Sequence, residues 1–430
     1  MADPVLAARL LALDVLDAVL LRRGALEAAF DAAAATYDLA PRDRAFARNL
    51  VATALRRLGQ IRALVDGCLE RPLPRAAKGV GPVLALGVCQ LLFLKTPAHA
   101  AVDTSVDLAA RRGLDAHKKL VNAVLRRLSR EGEALAAAQD APRLNTPDWL
   151  WRSWSETYGE ATCRAIAEAH LSEPPLDLSV ARDADSWAAK LGARVLPTGT
   201  LRLDGAGSVA ELAGYDEGAW WVQDAAAALP ARLMGDVAGK TVVDLCAAPG
   251  GKTMQLAAAG ADVIAVDRSE KRLERLTQNL TRVGLAARTV AADAAAWRPD
   301  ALADAVLLDA PCSTTGTIRR HPDVQRLKTA KDVERLAALQ ARLLDAASAM
   351  VKPGGRLIYC TCSLQPEEGP AQTARFLAGG APFERVPVAA DEVGGLSEIV
   401  DADGGVRTLP CHLGGAGGMD GFYVARFVRR

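Results

Sequence analysis

Aromatic residues are scarce in this 430-residue chain: seven Phe, seven Trp and five Tyr make up 4% of it. With half of the residues hydrophobic, small aliphatic side chains must supply most of the core, a composition that favours helices. Histidine is rarer still, at five, and no C-x₂-C pair occurs, which argues against a zinc or redox site, so no metal is expected. Cys68, Cys89, Cys163, Cys246, Cys312, Cys360, Cys362 and Cys411 are scattered and form no disulfide framework; free thiols in a reducing compartment are expected. No run is long and apolar enough to span a bilayer, and Met1-Ala2-Asp3-Pro4 carries no basic n-region, so a cytoplasmic protein with no membrane contact is expected. No internal repeat appears; the sequence does not give the oligomeric state, and a monomer is assumed.

The net charge of +1 hides an asymmetry. Residues 1–135 hold 20 Lys/Arg against 14 Asp/Glu, and the remainder holds 32 against 37. A basic amino-terminal third on a neutral whole suits an anionic partner such as a nucleic acid, although a solvated face gives the same count.

Length implies several domains. Apolar residues recur at helical spacing through 5–35 (Val5, Leu6, Leu10, Leu13, Leu16, Val19, Leu20) and from Pro41 through Phe46, Leu50, Leu55, Leu58, Ile61 and Val65. Arg48, Arg56, Arg57 and Arg62 fall mostly off that second stripe. After a break at Pro72-Leu73-Pro74, helices are expected over 80–94, 100–111 and 117–128. Residues 1–135 therefore read as an all-α bundle whose Lys118-Lys119 and Arg126-Arg127 edges suit phosphates. Residues 140–230 read as a small α+β connecting module with strands at 176–181 and 201–203. Trp149, Trp151, Trp154 and Tyr158 are expected to be packing anchors. From 231 to 430 strands and helices alternate, the pattern of an α/β, doubly wound parallel sheet. The run at 421–428 is expected to close that sheet as an edge strand.

The first strand–helix turn of this third region is Cys246-Ala247-Ala248-Pro249-Gly250-Gly251-Lys252-Thr253. Its Gly pair allows close backbone approach to a ligand at a helix start. Gly-Lys-Thr alone is not a phosphate loop: the upstream glycine is missing at Ala247 and Cys246 alike, and no G-x-G-x-x-G occurs. Asp267 ends the next strand about 20 residues on, where an acidic side chain takes both hydroxyls of a ribose. Asp293 ends the third strand, within reach of an adenine amino group. Together these indicate an adenosine-type cofactor without a triphosphate, which S-adenosylmethionine fits.

Ala305-Val306-Leu307-Leu308-Asp309-Ala310-Pro311-Cys312 is a buried strand stopped by proline, which sets Asp309 and Cys312 at its carboxyl end, where open α/β sheets bind ligands. Cys362, in Thr361-Cys362-Ser363, ends the neighbouring strand. Parallel neighbours lie about 5 Å apart, so both thiols can serve one substrate. Methylating carbon 5 of a pyrimidine needs such an apparatus: a thiolate adding at carbon 6 makes carbon 5 nucleophilic. Asp309 and Lys252 are suited to charge control at the ring.

These motifs, with Thr315-Gly316-Thr317-Ile318-Arg319-Arg320-His321-Pro322-Asp323 and Pro366-Glu367-Glu368, resemble those of RNA (cytosine-5)-methyltransferases. The amino-terminal bundle resembles the NusB-like RNA-binding domain. The pairing is similar to the bacterial 16S ribosomal RNA (cytosine-5)-methyltransferase family. The resemblance implies a Rossmann-like methyltransferase domain at 231–430 and an RNA partner, 16S ribosomal RNA first and transfer RNA as the alternative. A non-catalytic assembly factor is a further alternative, opposed by the presence of both thiols, Asp309 and Lys252. It implies that residues 246–252, Asp267, Asp293 and Asp309 line the S-adenosylmethionine site. It further implies that Cys362 is the nucleophile and that Cys312 assists product release. Cys360 departs from the pattern; its side chain is expected to turn away from Cys362 into the core.

Overall fold

A computed structural model describes residues 4–73, 77–205 and 207–430; Met1-Ala2-Asp3 and the end of the expected break at Pro72-Leu73-Pro74 lie outside them. The described residues divide into two compact units, Met1–Ser172 with Ile318–Lys328, and Glu173–Thr317 with Thr329–Arg430. The connecting region is thus shared: its helices Asp148–Tyr158 and Glu160–Ala169 belong to the first unit, its strands to the second.

The first unit is helical. Pro4–Arg22 packs against Leu26–Ala34, Pro41–Arg56, Val80–Val88 and Ala98–Arg111. Leu11, Leu16, Leu50, Leu55, Val83, Leu86, Leu108 and Leu125 meet in its core. The single helix expected over 5–35 is two. Arg23 adopts a left-handed φ of 58° and Gly24 N–H bonds Ala18 O at 2.9 Å, a helix stop that the apolar period does not register because both pieces bury against one core. A π-helix at Cys89–Phe93 follows Val80–Val88. Trp154 is fully buried, its ring 5.5 Å from that of His170; Trp149, Trp151 and Tyr158 are half-buried. The returning segment belongs to this unit through specific bonds: Asp323 Oδ2 accepts from Leu26 N–H at 2.9 Å, and Arg56 Nη2 donates to Arg319 O at 2.8 Å. Arg56 is therefore a buried structural residue, not part of an exposed basic edge.

The second unit begins with a small antiparallel sheet of β1 (Leu176–Val180), β2 (Arg194–Val195), β3 (Leu201–Leu203) and β4 (Trp220–Val222), in the order β2-β3-β1-β4. A buried ion pair, Arg202 Nε to Asp177 Oδ1 at 2.6 Å, joins β3 to β1. The main sheet comprises β5 (Thr241–Leu245), β6 (Asp262–Asp267), β7 (Arg288–Ala291), β8 (Ala303–Asp309), β9 (Val351–Thr361), β10 (Phe383–Arg385), β11 (Val406–Thr408) and β12 (Phe422–Arg429). Its order is β10-β12-β9-β8-β5-β6-β7, with β11 beside β12. β5 to β9 are parallel, and β10 to β12 are antiparallel to their neighbours. The chain crosses from β5 outward to β7 and returns to β8, so the β5/β8 boundary is a topological switch point, where such sheets open a crevice at their carboxyl ends. The expected closing edge strand is instead an interior one. β12 pairs with β9, β10 and β11, and Val424, Ala425 and Phe427 are fully buried.

Candidate active site

The turn after β5 is built for close approach. Cys246 takes a φ of 61° and Gly250 a φ of 105°. A side chain at Gly250 would be strained there, and its Cβ would lie 2.9 Å from Leu276 Cγ. Lys252 and Thr253 enter the first turn of helix Gly251–Ala258 and point inward. Thr253 Oγ1 donates to Asp244 Oδ2 at 2.6 Å. Asp244 Oδ1 is buried without a partner, and burial raises this carboxyl to about 7 against the pull of Thr253 and Lys252.

Asp267, at the end of β6, is buried and well bonded. It accepts from Ala248 N–H at 3.3 Å and Ser269 N–H at 3.0 Å, and Arg272 pairs with it at 3.1 Å. Asp293 stands two residues beyond β7, is exposed, and accepts from Ala295 N–H at 3.0 Å. The structure thus brings Lys252 and Asp309 together and sets Asp267 against the same turn, while Asp293 caps a turn of its own.

Asp309 ends β8 opposite Cys360 of β9. Lys252 Nζ donates to Asp309 Oδ2 at 2.7 Å and stands 5.2 Å from the centre of the Phe422 ring. Burial opposes the Lys252 charge, but Asp309, with Cys360 and Asp244, outweighs it and raises the pKa, so Lys252 is an ammonium. Cys360 Sγ lies 3.6 Å from Asp309 Oδ1. This corrects the expectation that Cys360 turns away from Cys362. Side chains two apart along a strand share a face, and the two thiols belong to one packed cluster. Cys360 remains fully buried, with a pKa pushed well up by burial and by Asp309.

Cys312 and Cys362 come together as expected, Sγ to Sγ 3.4 Å. Cys312 is 7% exposed and Cys362 is half-buried, the more accessible of the two. The bond to Cys362 and burial both hold Cys312 well above the usual thiol range. Cys312 therefore keeps its proton beside Cys362.

Sequence reasoning passed over the residues behind the thiols. Glu368 is fully buried and accepts from Ser313 and Ser363, each adjacent to one cysteine. Pro366-Glu367-Glu368 was visible only as a motif, because Ser313 and Ser363 meet through the adjacency of β8 and β9 and Gln340 reaches Glu368 from the helix Ala330–Ser348.

Residues 232–428 match the family described as 16S rRNA methyltransferase RsmB/F, and residues 6–130 match the NusB family. A ribosomal RNA small subunit methyltransferase B of Salmonella arizonae is 37% identical over 411 residues, covering 91% of this chain and 92% of the relative. The chain belongs to that family. Its fold is shared with the crystal structure of PH0851, with a TM-score of 0.78 at 22% identity over 99% of both chains. A methyltransferase homologue from Pyrococcus horikoshii, 25% identical, has a TM-score of 0.54 over 65% of this chain and 94% of its own. Among the described residues no helix is long and apolar enough to cross a membrane, and no group of three or more His, Cys, Asp or Glu gathers to hold a metal.

Proposed function

We propose that the protein is a cytoplasmic enzyme that methylates carbon 5 of a cytosine in 16S ribosomal RNA, using S-adenosylmethionine and a covalent bond between Cys362 and carbon 6. The observation that carries this reading is the thiol pair at two adjacent strand ends, 3.4 Å apart and beside the Lys252–Asp309 pair.

The residues present suit S-adenosylmethionine. The left-handed turn at Cys246 and Gly250, the unpartnered buried Asp244 Oδ1, and carboxylates at the ends of β6 and β8 match a ligand with a ribose diol and cationic groups. Residues 246–252, Asp267, Asp293 and Asp309 would hold it. Bound there, it supplies an electrophilic methyl group.

Cys362, as thiolate, adds to carbon 6, and the ring electrons move toward carbon 5 and the N3–O2 side. Lys252 and Asp309 hold charge and protons at that side of the ring. Once carbon 5 is methylated, its proton passes to water, the C5–H electrons re-form the C5–C6 double bond, and the carbon–sulfur electrons leave with Cys362 as thiolate. Cys312, which keeps its own proton, hydrogen-bonds the departing sulfur and so assists release of the product. A base reaching this site must be single-stranded or turned out of its stack, at a cost of a few kcal/mol. The helical unit supplies backbone affinity through exposed basic residues.

The test is transfer of labelled methyl groups by the purified protein to 16S ribosomal RNA lacking the modification, located by bisulfite sequencing. Labelling confined to transfer RNA would move the substrate. No labelling of either would overturn the reading.

A further inference from the structure

We propose that Glu368 is a positioning residue that sets the spacing of Cys312 and Cys362 and decides which of them attacks, a role that rests on the cytosine reading of the same site. Glu368 is fully buried, and its side chain has no solvent contact. Oε1 accepts from Ser313 N–H at 2.9 Å and from Gln340 Nε2 at 3.0 Å. Oε2 accepts the hydroxyls of Ser313 and Ser363, each at 2.5 Å. Ser313 follows Cys312 and Ser363 follows Cys362, so one carboxylate grips both thiol-bearing turns at the next residue along. The two carboxylate oxygens together accept from all four donors.

The grip is extended on both sides. Thr315 Oγ1 lies 3.3 Å from both serine hydroxyls and accepts from Leu364 N–H at 3.0 Å. Gln340 Nε2 also donates to Pro311 O at 2.9 Å. The Glu368 backbone is itself anchored, its carbonyl taking the Tyr359 hydroxyl at 2.8 Å and the Thr361 hydroxyl at 3.1 Å. Ring closure therefore runs from β9 through Glu368 to both turns, without passing through either sulfur. The bond to Cys362 and burial chiefly hold Cys312 protonated, and Glu368 adds to them. Cys362, further out, is left as the attacking thiol. Glu368 is sealed from solvent behind both turns, so its effect passes through them.

The experiment compares wild type with Glu368→Gln and Ser363→Ala in the full-length protein. Without RNA, iodoacetamide alkylation of Cys312 and Cys362 is followed by mass spectrometry. With RNA, kcat and KM are measured, together with S-adenosylmethionine affinity. Glu368→Gln keeps the volume and loses an acceptor and the charge. The ratio of Cys362 to Cys312 alkylation should shift by about fivefold or more. The kcat should fall by about tenfold or more with KM and cofactor affinity within about twofold, as for a displaced reacting group. An unchanged ratio overturns the proposal, as does a parallel loss of kcat and cofactor affinity. If Glu368→Gln fails to fold, Ser363→Ala, which removes one donor, must move the ratio in the same direction. If the ratio shifts but Cys362→Ala still methylates RNA, the positioning role stands and the cytosine mechanism fails.

Discussion

Cys312 Sγ lies 3.4 Å from Cys362 Sγ although 50 residues separate them in the chain. The contact arises because β8 and β9 run parallel with Asp309 opposite Cys360, β8 stopping three residues before Cys312 and β9 directly before Cys362. With Cys312 holding its proton and Cys362 the more accessible sulfur, the two thiols are chemically unequal. Cys362→Ala should abolish methyl transfer. Cys312→Ala should leave addition intact and accumulate an RNA–protein adduct that survives denaturing electrophoresis. Adduct from Cys362→Ala and none from Cys312→Ala would reverse the roles.

The turn carrying Cys312 is also tied down by backbone. Gly316 N–H donates to Cys362 O at 3.0 Å, and a Cβ at Gly316 would meet Gly421 O at 1.9 Å. Gly316→Ala must push two backbone segments apart. It should cost about 1–3 kcal/mol of stability and lower kcat, measured by thermal unfolding and methyl transfer. Wild-type values for both would show that this approach is not needed.

Asp244 carries a pH signature. Burial raises its pKa from 3.8 to about 7 in the folded protein. Its contribution to stability is therefore complete below the unfolded value and is lost as pH rises through about 7. In cofactor-free protein, Asp244→Asn should remove a stability loss on the order of 2–4 kcal/mol between about pH 4 and 7. Denaturant unfolding across that range checks it; parallel curves for the two proteins would exclude Asp244 as the cause.

His170 behaves in the opposite sense. Burial, with Arg319 and Arg56 nearby, lowers its pKa from 6.5 to about 3, and its Nε2 is buried without a partner. Stability is present above the unfolded value and declines as pH falls from 6.5 toward 3. His170→Phe keeps a ring beside Trp154 and removes the titration. It should hold the helical unit folded to lower pH, read as a shallower loss of Tm below about pH 6.

Binding of RNA is best tested by charge, not by deletion. Removing residues 1–135 would strip Leu26 and Arg56 from the segment Ile318–Lys328, which bonds to both. Lys119, Arg126 and Arg130 share one face of helix Lys118–Ala137 and are exposed. Lys119→Glu with Arg130→Glu should weaken RNA binding and reduce the salt slope by about two, one per lost phosphate contact. S-adenosylmethionine affinity should not change. Equal loss of both affinities would assign the helix a structural role.

Much of the site was legible in the chain because its signals are local. Asp309-Ala310-Pro311-Cys312 and Thr361-Cys362-Ser363 each end an apolar run, and a proline or a polar cluster stops a strand wherever it occurs. The turn at Cys246–Thr253 announces itself by paired glycines before a helix. Helix boundaries were less legible where two helices bury one continuous stripe, as at Arg23 and Gly24.

By itself, then, the sequence determined the α-helical first unit, the alternating strands and helices of the second, and the positions of both thiols at strand ends. Periodicity and turn chemistry act over a few residues, so they can be read from the order of residues alone. Only the tertiary structure decided what depends on lateral neighbours. It made β12 an interior strand, put Cys360 on the Asp309 side, buried Arg56 under Arg319 O, and gathered Ser313, Gln340 and Ser363 around Glu368. The physical reason is that strand pairing and the bonding of a buried carboxylate join residues distant in the chain, and no local pattern encodes which of them meet.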